Sequence, residues 1–219
     1  MTITIKDFPK LESPFDREEI KGVGYVCVPR FRREYAWILN KALVIPTEKF
    51  DGTNVSVVVQ DGRISRMLNR MNVIDIWKSH EHFFNGIKRA VDEKKFVPDF
   101  LEDGQYYGEL CGPKINGNPL GLDYNIWIPF DYIKEHFMFR FYASWLDEMK
   151  LTENSSDTEL YEAFRQLFSE LKSLWFRKRG IEKAPEGIVF YNKQTGQMCK
   201  LRVDMWDTFK GERHKDKFS

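Results

Sequence analysis

The stretch Glu48-Lys49-Phe50-Asp51-Gly52-Thr53-Asn54 decides the fold prediction for this chain. The apolar run 42–45 precedes it closely, and a second apolar run, 55–59, follows it. Apolar runs on both sides of an Asp-Gly pair are typical of a β-hairpin. The pattern therefore predicts that Lys49 lies beside a tight turn, among apolar strands. A lysine in that position loses hydration, which favours the neutral and nucleophilic amine.

The heptad also fits an ordinary surface hairpin whose lysine is solvated. Lys-x-Asp-Gly is a short pattern, and it does not separate a reactive amine from a solvated one. Residues elsewhere in the chain have to decide between the two interpretations.

Composition limits the function classes. The 219 residues are 42% hydrophobic and 31% charged, which is typical of a soluble globular protein. The 34 cations and 33 acids nearly balance, so a uniformly basic nucleic-acid coat is not expected, and contacts with a polyanion must come from local clusters. Cys27, Cys111 and Cys199 have no C-x-x-C spacing, which argues against a zinc site or a disulfide framework and favours a reducing compartment.

The segment 1–10 lacks the pattern of a signal peptide, and no apolar run approaches the roughly 18–20 residues of a membrane span. These features predict a soluble, cytoplasmic protein without a membrane partner.

The chain predicts one α+β domain, 1–219, with mainly antiparallel sheets. Predicted strands cover 22–28, 42–60, 105–111, 125–133, 187–192 and 197–203, and predicted helices cover 73–95, 135–150 and 157–179. The first helix rests on the apolar positions Ile74, Trp77, Phe84, Ile87 and Val91. Asp157 is the expected N-cap of the third helix, and a helical insertion is expected over about 135–180.

Several polar residues make chemical sense together with Lys49. Glu109 and Glu186 lie in or beside predicted strands, and Phe130 precedes Asp131. Lys200 and Arg202 share one strand face because of their period-two spacing. Acids can hold Mg²⁺, cations can neutralise phosphate oxygens, and an aromatic ring can stack on a base. Each residue alone also fits a structural role, as a surface acid, a core phenylalanine or a solvated strand face.

The set resembles the covalent nucleotidyltransferase superfamily of ATP-dependent ligases and capping enzymes. Five motifs of that superfamily match in order, within residues 47–202. They are Lys49-Phe50-Asp51-Gly52, Gly108-Glu109, Phe130-Asp131, Glu186-Gly187-Ile188-Val189 and Lys200-Leu201-Arg202. The resemblance implies an adenylation domain of antiparallel sheets flanked by helices, with a nucleotide cleft between them.

Glu-Lys-x-x-Gly-Thr-Asn is similar to the RNA ligase 2 group, which includes phage RNA-repair and RNA-editing ligases. In that group the glutamate before the lysine reads the adenine amino group, and Glu48 stands at this position. The essential asparagine of the group matches Asn54. An arginine that contacts the nucleotide matches Arg66 or Arg70, and Arg70 is favoured.

The resemblance also implies residue roles. Lys49 would attack ATP and form a lysyl-AMP intermediate, while Lys200 and Arg202 neutralise the α-phosphate. Glu186 and Asp51 would act through Mg²⁺, with Mn²⁺ as a possible substitute. The remaining nucleotide-binding residues are Gly52, Glu109, which orients the ribose, and Phe130, which stacks on adenine. Later steps would join a 5′-phosphate to a 3′-hydroxyl, on RNA rather than DNA.

The chain departs from the family at its C-terminal side. Only 17 residues follow Arg202, so the expected organisation has no C-terminal oligonucleotide-binding domain. The small helical domain of the RNA ligase 2 group is also missing unless 135–180 substitutes for it. The expected molecule is a minimal ligase or an adenylation domain that works with a separate protein.

Three other functions compete with an RNA ligase. Glu48 and Asn54 argue against a compact DNA ligase and against a guanylyltransferase. A binding module that has lost catalysis is the third alternative, but no position of the five motifs is degraded.

Three further motifs have simpler interpretations. His80 and His82 have no third ligand at a matching spacing, so a metal site is not expected there. Gly22-Val23-Gly24 is typical of a turn at a strand edge. Phe176-Arg177-Lys178-Arg179 fits either a solvated helix end or a contact with a phosphate backbone.

Overall fold

The computed structural model describes residues 3–75 and 80–213, and these residues form two compact units. Unit 1 comprises Met1–Lys10 and Phe50–His136, and unit 2 comprises Leu11–Lys49 and Phe137–Ser219. The border between the units falls inside the heptad, after Lys49. The prediction of a single domain over 1–219 stays a prediction.

Every strand pair in the described residues is antiparallel. The strands are β1 (Phe15–Ile20), β2 (Gly24–Phe31), β3 (Val44–Lys49), β4 (Thr53–Gln60), β5 (Arg63–Asn69), β6 (Asn72–Val73), β7 (Gly104–Cys111), β8 (Ile126–Pro129), β9 (Gly187–Asn192) and β10 (Met198–Arg202). The α-helices are α1 (Glu81–Asp92), α2 (Phe130–His136), α3 (Tyr142–Glu148), α4 (Asp157–Glu170) and α5 (Leu174–Arg177). Short 3-10 segments cover Arg33–Leu39, Pro98–Phe100 and Val203–Met205. The predicted α+β class with mainly antiparallel sheets is confirmed.

Unit 1 is built on one five-stranded sheet in the order β6-β5-β4-β7-β8. One face of this sheet carries buried apolar side chains that pack with helix α1. Its core includes Val55, Val57, Leu110 and Trp127 from the strands and Phe83, Ile87 and Ala90 from the helix. The helical residues recur at spacings of three and four, so they lie on one face of α1.

Unit 2 contains a two-stranded sheet, β1-β2, and a three-stranded sheet in the order β10-β9-β3. Helix α4 packs against β2. The shared core is rich in aromatic and aliphatic side chains, including Phe15, Ile38, Phe139, Phe164, Ile188, Phe190, Leu201 and Trp206. Burial of this apolar surface is the main source of stability for the unit.

The predicted hairpin at Asp51-Gly52 is wrong, because β3 pairs with β9 whereas β4 pairs with β5 and β7. Gly52 does not have the positive φ that a two-residue hairpin turn requires. Instead, a Cβ at Gly52 would lie 2.4 Å from the carbonyl oxygen of Leu110. The glycine is needed for a close approach to β7.

A second Asp-Gly pair does form a hairpin. Asp61 and Gly62 join β4 to β5 with φ values of 50° and 70°, and Gln60 pairs with Arg63. Two consecutive positive φ values are typical of a type I′ turn.

Helix boundaries differ from the prediction. The α4 N-cap is Ser156 rather than Asp157, since the Ser156 hydroxyl accepts from the Glu159 amide and the Glu159 carboxylate accepts from the Ser156 amide. The predicted helix 157–179 splits into α4 and α5 because Ser173 caps a new helix by accepting from the Phe176 amide at 3.1 Å.

The other differences are local. The predicted strand 125–133 ends at Pro129, which has no N–H for a ladder, and α2 follows it. The predicted helix 73–95 is shorter, as α1, and Trp77 lies outside the described residues. The predicted helix 135–150 is interrupted, since it contains only the last two residues of α2 and then α3. The predicted turn at 22–24 is confirmed between β1 and β2. None of the helices in 3–75 and 80–213 has the length and apolar character needed to cross a membrane.

Candidate active site

The register of the three-stranded sheet of unit 2 aligns the predicted catalytic residues. Lys49 of β3 pairs with Gly187 of β9, which pairs with Arg202 of β10. Lys200 occupies the next row on the same face, two residues before Arg202. Side chains of paired residues, and of residues two apart, point to the same side of a sheet. Lys49, Lys200 and Arg202 therefore share one face.

Gly187 lies in the middle of this cationic row. A Cβ at this position would lie 2.1 Å from the carbonyl oxygen of Leu201, so the backbone excludes a side chain there. The row consequently presents two cationic side chains, from Lys49 and Arg202, on either side of bare backbone.

Lys49 and Glu186 form an ion pair within unit 2. Lys49 Nζ lies 2.6 Å from Glu186 Oε2, and the two side chains are 19% and 13% exposed. Glu186 directly precedes β9, and its carbonyl oxygen accepts from the Val203 amide at 2.9 Å. The structure thus brings together the predicted nucleophile and a predicted metal-binding acid.

Glu48 lies on the opposite face of β3, in a row with Ile188 and Leu201. Its side chain is buried and accepts hydrogen bonds from the Ser173 hydroxyl and, at 2.9 Å, from the Trp175 amide. Burial raises the pKa of Glu48, and these hydrogen bonds act in the opposite direction. Neither hydrogen bond tests a contact with adenine, so that role stays a prediction.

Arg202 is also largely buried, and its guanidinium pairs with a buried acid. Arg202 Nε donates to Asp204 Oδ1 at 2.8 Å, and the two side chains are 9% and 4% exposed. Asp204 is not among the residues that the sequence predicted. Its position two residues after the last motif was the available signal.

Asn54 and Glu109 meet in the sheet of unit 1. Asn54 of β4 pairs directly with Glu109 of β7. Both side chains lie on the face opposite to the buried Val55 and Leu110, because side chains alternate along a strand. Two predicted nucleotide-binding residues are therefore neighbours.

Asp51 and Gly52 are held by a residue that sequence analysis missed. Asn116 Nδ2 donates to Asp51 Oδ1 at 2.9 Å and to the carbonyl oxygen of Gly52 at 2.7 Å. Asn116 lies in the loop between β7 and β8, where a run rich in Gly, Pro and Asn was the only signal in the sequence.

The N-terminal segment contacts two more predicted residues in unit 1. The rings of Phe8 and Phe130 have centroids 4.9 Å apart. Arg70 donates to the carbonyl oxygen of Phe8 at 3.3 Å and lies 3.2 Å from the Asp7 carboxylate. Arg66 lies in β5 and is exposed, and the choice between Arg66 and Arg70 stays a prediction.

The family of the chain follows from a comparison with family models. The model of the RNA ligase family matches residues 42–203, about three quarters of the sequence. The chain belongs to the RNA ligase family. All five motifs identified in the sequence lie inside the matched range, and the resemblance to RNA ligases is confirmed.

Solved structures similar to this RNA ligase family member include three of Naegleria gruberi RNA ligase. They are a lysine-to-alanine mutant with ATP and Mn (17% identity, TM-score 0.48), a lysine-to-methionine mutant with AMP and Mn (16%, 0.49) and the ligase with PPi (17%, 0.49). Each comparison covers 92% of this chain but only 59% of the Naegleria chain. A comparison with curated protein sequences gives no match.

The carboxylates of this RNA ligase family member fit a metal bound partly by substrate. Among the residues that the structure describes, no three His, Cys, Asp or Glu side chains converge as a complete metal site. Mg²⁺ commonly takes one or two carboxylates together with substrate phosphates. The oxygen donors of Glu186, in unit 2, and of Asp51, in unit 1, are each of the type that such an ion binds.

Proposed function

We propose that this chain is an ATP-dependent RNA ligase that forms a covalent lysyl-AMP intermediate on Lys49. The observation that carries the proposal is the 2.6 Å pair of Lys49 and Glu186, on a sheet face shared with Lys200 and Arg202. An amine, a carboxylate and two further cations are the groups that nucleotidyl transfer needs. Membership of the RNA ligase family supports the same reaction.

The first step transfers AMP to the enzyme. An ion pair involves the ammonium of Lys49, whereas attack requires the neutral amine, so a proton must leave before attack. Glu186, 2.6 Å from the amine, is the proposed acceptor of that proton. The nitrogen then bonds to the α-phosphorus of ATP as the bond between phosphorus and the pyrophosphate oxygen breaks. Lys200 and Arg202 stabilise the negative charge that develops on the α-phosphate.

Mg²⁺ or Mn²⁺ is the proposed metal, and Glu186 and Asp51 are each proposed to act through it. When bound, the ion neutralises charge on the phosphates of ATP. Asn116 supports this role by fixing the Asp51 carboxylate and the backbone beside it.

The nucleoside part of ATP is assigned to residues of unit 1. Glu109 orients the ribose beside Asn54, and Phe130 stacks on adenine. Gly52 and Arg70 complete the proposed nucleotide-binding set there, and Glu48 of unit 2 keeps its proposed adenine contact.

Two further steps seal the nucleic acid. A 5′-phosphate oxygen attacks the phosphorus of lysyl-AMP, so a P–O–P bond forms as the Lys49 N–P bond breaks. The 3′-hydroxyl then attacks the 5′-phosphorus, a phosphodiester forms, and AMP leaves. RNA ends are the proposed substrate, in preference to DNA.

We also propose that the chain acts in the cytoplasm as one adenylation domain, either as a minimal ligase or together with a separate protein that assists nucleic-acid binding. The buried thiols of Cys27, Cys111 and Cys199, none of which forms a disulfide, support a reducing compartment. Sealing by the purified chain alone, without any added protein, would favour the minimal ligase over the partner-dependent domain.

Intact-mass measurement after incubation with ATP and MgCl₂ tests the reaction. The mass should rise by one AMP in the wild type and in Lys41→Ala, an exposed lysine of the same unit, but not in Lys49→Ala. GTP should give no label. Nicked duplexes that differ only in 2′-hydroxyls near the break test the substrate, and equal sealing of an all-DNA nick would contradict the RNA preference.

A further inference from the structure

Positive charge is concentrated in residues 172–183, which we name the basic segment. It contains five cations, Lys172, Arg177, Lys178, Arg179 and Lys183, and a single acid, Glu182. The whole chain, by contrast, has 34 cations and 33 acids. All six of these charged side chains are exposed. The segment is therefore a local positive surface on a nearly neutral protein.

Buried aromatic rings hold three of these cations in place. Lys178 Nζ lies 4.1 Å from the ring centroid of Phe137, and Lys183 Nζ lies 4.6 Å from that of Phe176. The Arg179 guanidinium lies 3.7 Å from the Trp175 ring and donates to the Trp175 carbonyl oxygen at 3.1 Å. Cation–π contacts order the long side chains, so less entropy is lost when they bind an anion.

The basic segment is also fixed to the strand of the proposed nucleophile. Ser173 and Trp175 donate to the carboxylate of Glu48, the residue before Lys49. The Ser173 amide donates to the Lys183 carbonyl oxygen at 2.9 Å, which closes the segment on itself. These hydrogen bonds fix the position of the basic segment relative to Lys49 within unit 2.

We propose that the basic segment binds the phosphate backbone of the RNA that the enzyme seals. The inference rests on the proposed ligase function and extends it by assigning the surface that holds the substrate. Contacts between cations and phosphates fix the position of a nucleic acid without reading its sequence, as a sealing enzyme requires. A membrane-binding segment would instead expose an apolar face beside its cations, whereas Phe137, Trp175 and Phe176 are buried and Ile181 is a single exposed apolar side chain.

Salt dependence of RNA binding tests the surface. The full-length double variant Arg177→Gln/Lys178→Gln is compared with the wild type by fluorescence anisotropy, on a 5′-fluorescein nicked RNA duplex, between 50 and 200 mM KCl. Each lost phosphate contact lowers the salt slope by roughly 0.7–0.9. Raising KCl from 50 to 200 mM weakens the binding of both proteins. The factor by which affinity falls should be about ten times smaller for the double variant than for the wild type.

Two further double variants control for charge and for folding. Lys41→Gln/Lys193→Gln removes the same charge from exposed positions of unit 2 and should keep the wild-type slope. Arg177→Lys/Lys178→Arg keeps both charges and should also keep the slope. Thermal unfolding of each variant identifies any loss of fold. If Arg177→Gln/Lys178→Gln does not fold, the single variant Arg177→Gln should lower the salt slope by the amount expected for one lost phosphate contact.

Equal salt slopes for Arg177→Gln/Lys178→Gln and Lys41→Gln/Lys193→Gln would overturn the proposal. The proposal would also be overturned if Arg177→Gln/Lys178→Gln lost binding to vesicles of equal parts phosphatidylserine and phosphatidylcholine while its salt slope for RNA stayed at the wild-type value. Adenylation is measured separately by mass. A difference in slope without adenylation would support the surface and contradict the ligase function, whereas adenylation with equal slopes would contradict only the surface.

Discussion

Lys49 Nζ lies 2.6 Å from Glu186 Oε2, although 137 residues separate the two in the chain. The contact follows from the pairing of β3 with β9, which sets Lys49 directly opposite Gly187. Because Gly187 has no side chain, the neighbouring Glu186 can reach the amine from the start of β9. A backbone register thus joins the proposed nucleophile to the proposed proton acceptor.

Glu186→Gln should lower the rate of lysyl-AMP formation by about 100-fold or more, because the amide can neither accept the proton of Lys49 nor act as a carboxylate toward the proposed metal. The measurement is the single-turnover rate of the mass increase with ATP and MgCl₂. Glu170→Gln, at an exposed acid of the same unit, should keep the wild-type rate. A wild-type rate in Glu186→Gln would remove this residue from the mechanism.

Glu48 should make the stability of the chain depend on pH. Since burial raises its folded-state pKa above the ordinary value of 4.5, the folded state holds this proton to higher pH than the unfolded state does. The stability that protonated Glu48 contributes to the folded state is complete below about pH 4.5 and is lost as pH rises through the folded-state pKa. The free energy of unfolding of the wild type, relative to Glu48→Gln, should therefore fall with rising pH. Urea unfolding from about pH 4 to 7 measures the difference.

Glu159→Gln provides a control of opposite sign. Hydrogen bonds from the Ser156 amide and hydroxyl lower the pKa of Glu159. The stability that ionised Glu159 contributes is present above the ordinary pKa of a glutamate and is lost as pH falls through the folded-state pKa. The wild type should therefore gain stability relative to Glu159→Gln as pH rises. A pH-independent difference for Glu48→Gln would contradict the burial argument.

The two Asp-Gly pairs should respond differently to the same substitution. Gly52→Asn should destabilise the protein by about 1–3 kcal/mol, because a Cβ would lie 2.4 Å from the Leu110 carbonyl oxygen. Gly62→Asn should cost less than about 1 kcal/mol, because asparagine tolerates a φ of 70° and the nearest atom to a Cβ, at Asp99, is 3.5 Å away. Chemical denaturation of both variants measures the contrast, and equal losses would contradict it.

Asp204→Ala should lower the free energy of unfolding by about 3–5 kcal/mol, because it removes a buried carboxylate partner of the buried Arg202 cation. Asp207→Ala removes the partner of Arg165 from a pair whose side chains are about one third exposed, and should cost about 0–1 kcal/mol. Thermal or urea unfolding distinguishes the two. Equal effects would mean that water reaches Arg202.

Short-range patterns predicted much of the fold and the order of the motifs. The period-two spacing of Lys200 and Arg202 correctly predicted a shared strand face, which the pairing with Val189 and Gly187 confirms. Strand 105–111 was predicted almost to the residue, because its apolar and aromatic composition leaves few alternatives.

Long-range pairing could not be predicted in the same way. The Asp-Gly pair at 51–52 has the local signature of a hairpin, yet its glycine is required by a close approach to Leu110, some sixty positions away. Asn116 and Ser173 were missed because their partners are also distant, at Asp51 and Glu48. A single sequence carries local preference but no record of such partners.

The opposite orientations of Glu48 and Lys49 make the length of β3 critical. Deleting or inserting one residue between Val44 and Glu48 would move the side chains of Glu48 and Lys49 to the opposite faces of the sheet. The carboxylate would then lie on the face where we propose that the triphosphate binds and would repel it, while the ammonium would lie in the hydrophobic interior without a counter-charge. Length-changing mutations in these few positions should abolish chemistry and folding together, whereas surface turns elsewhere can absorb an extra residue.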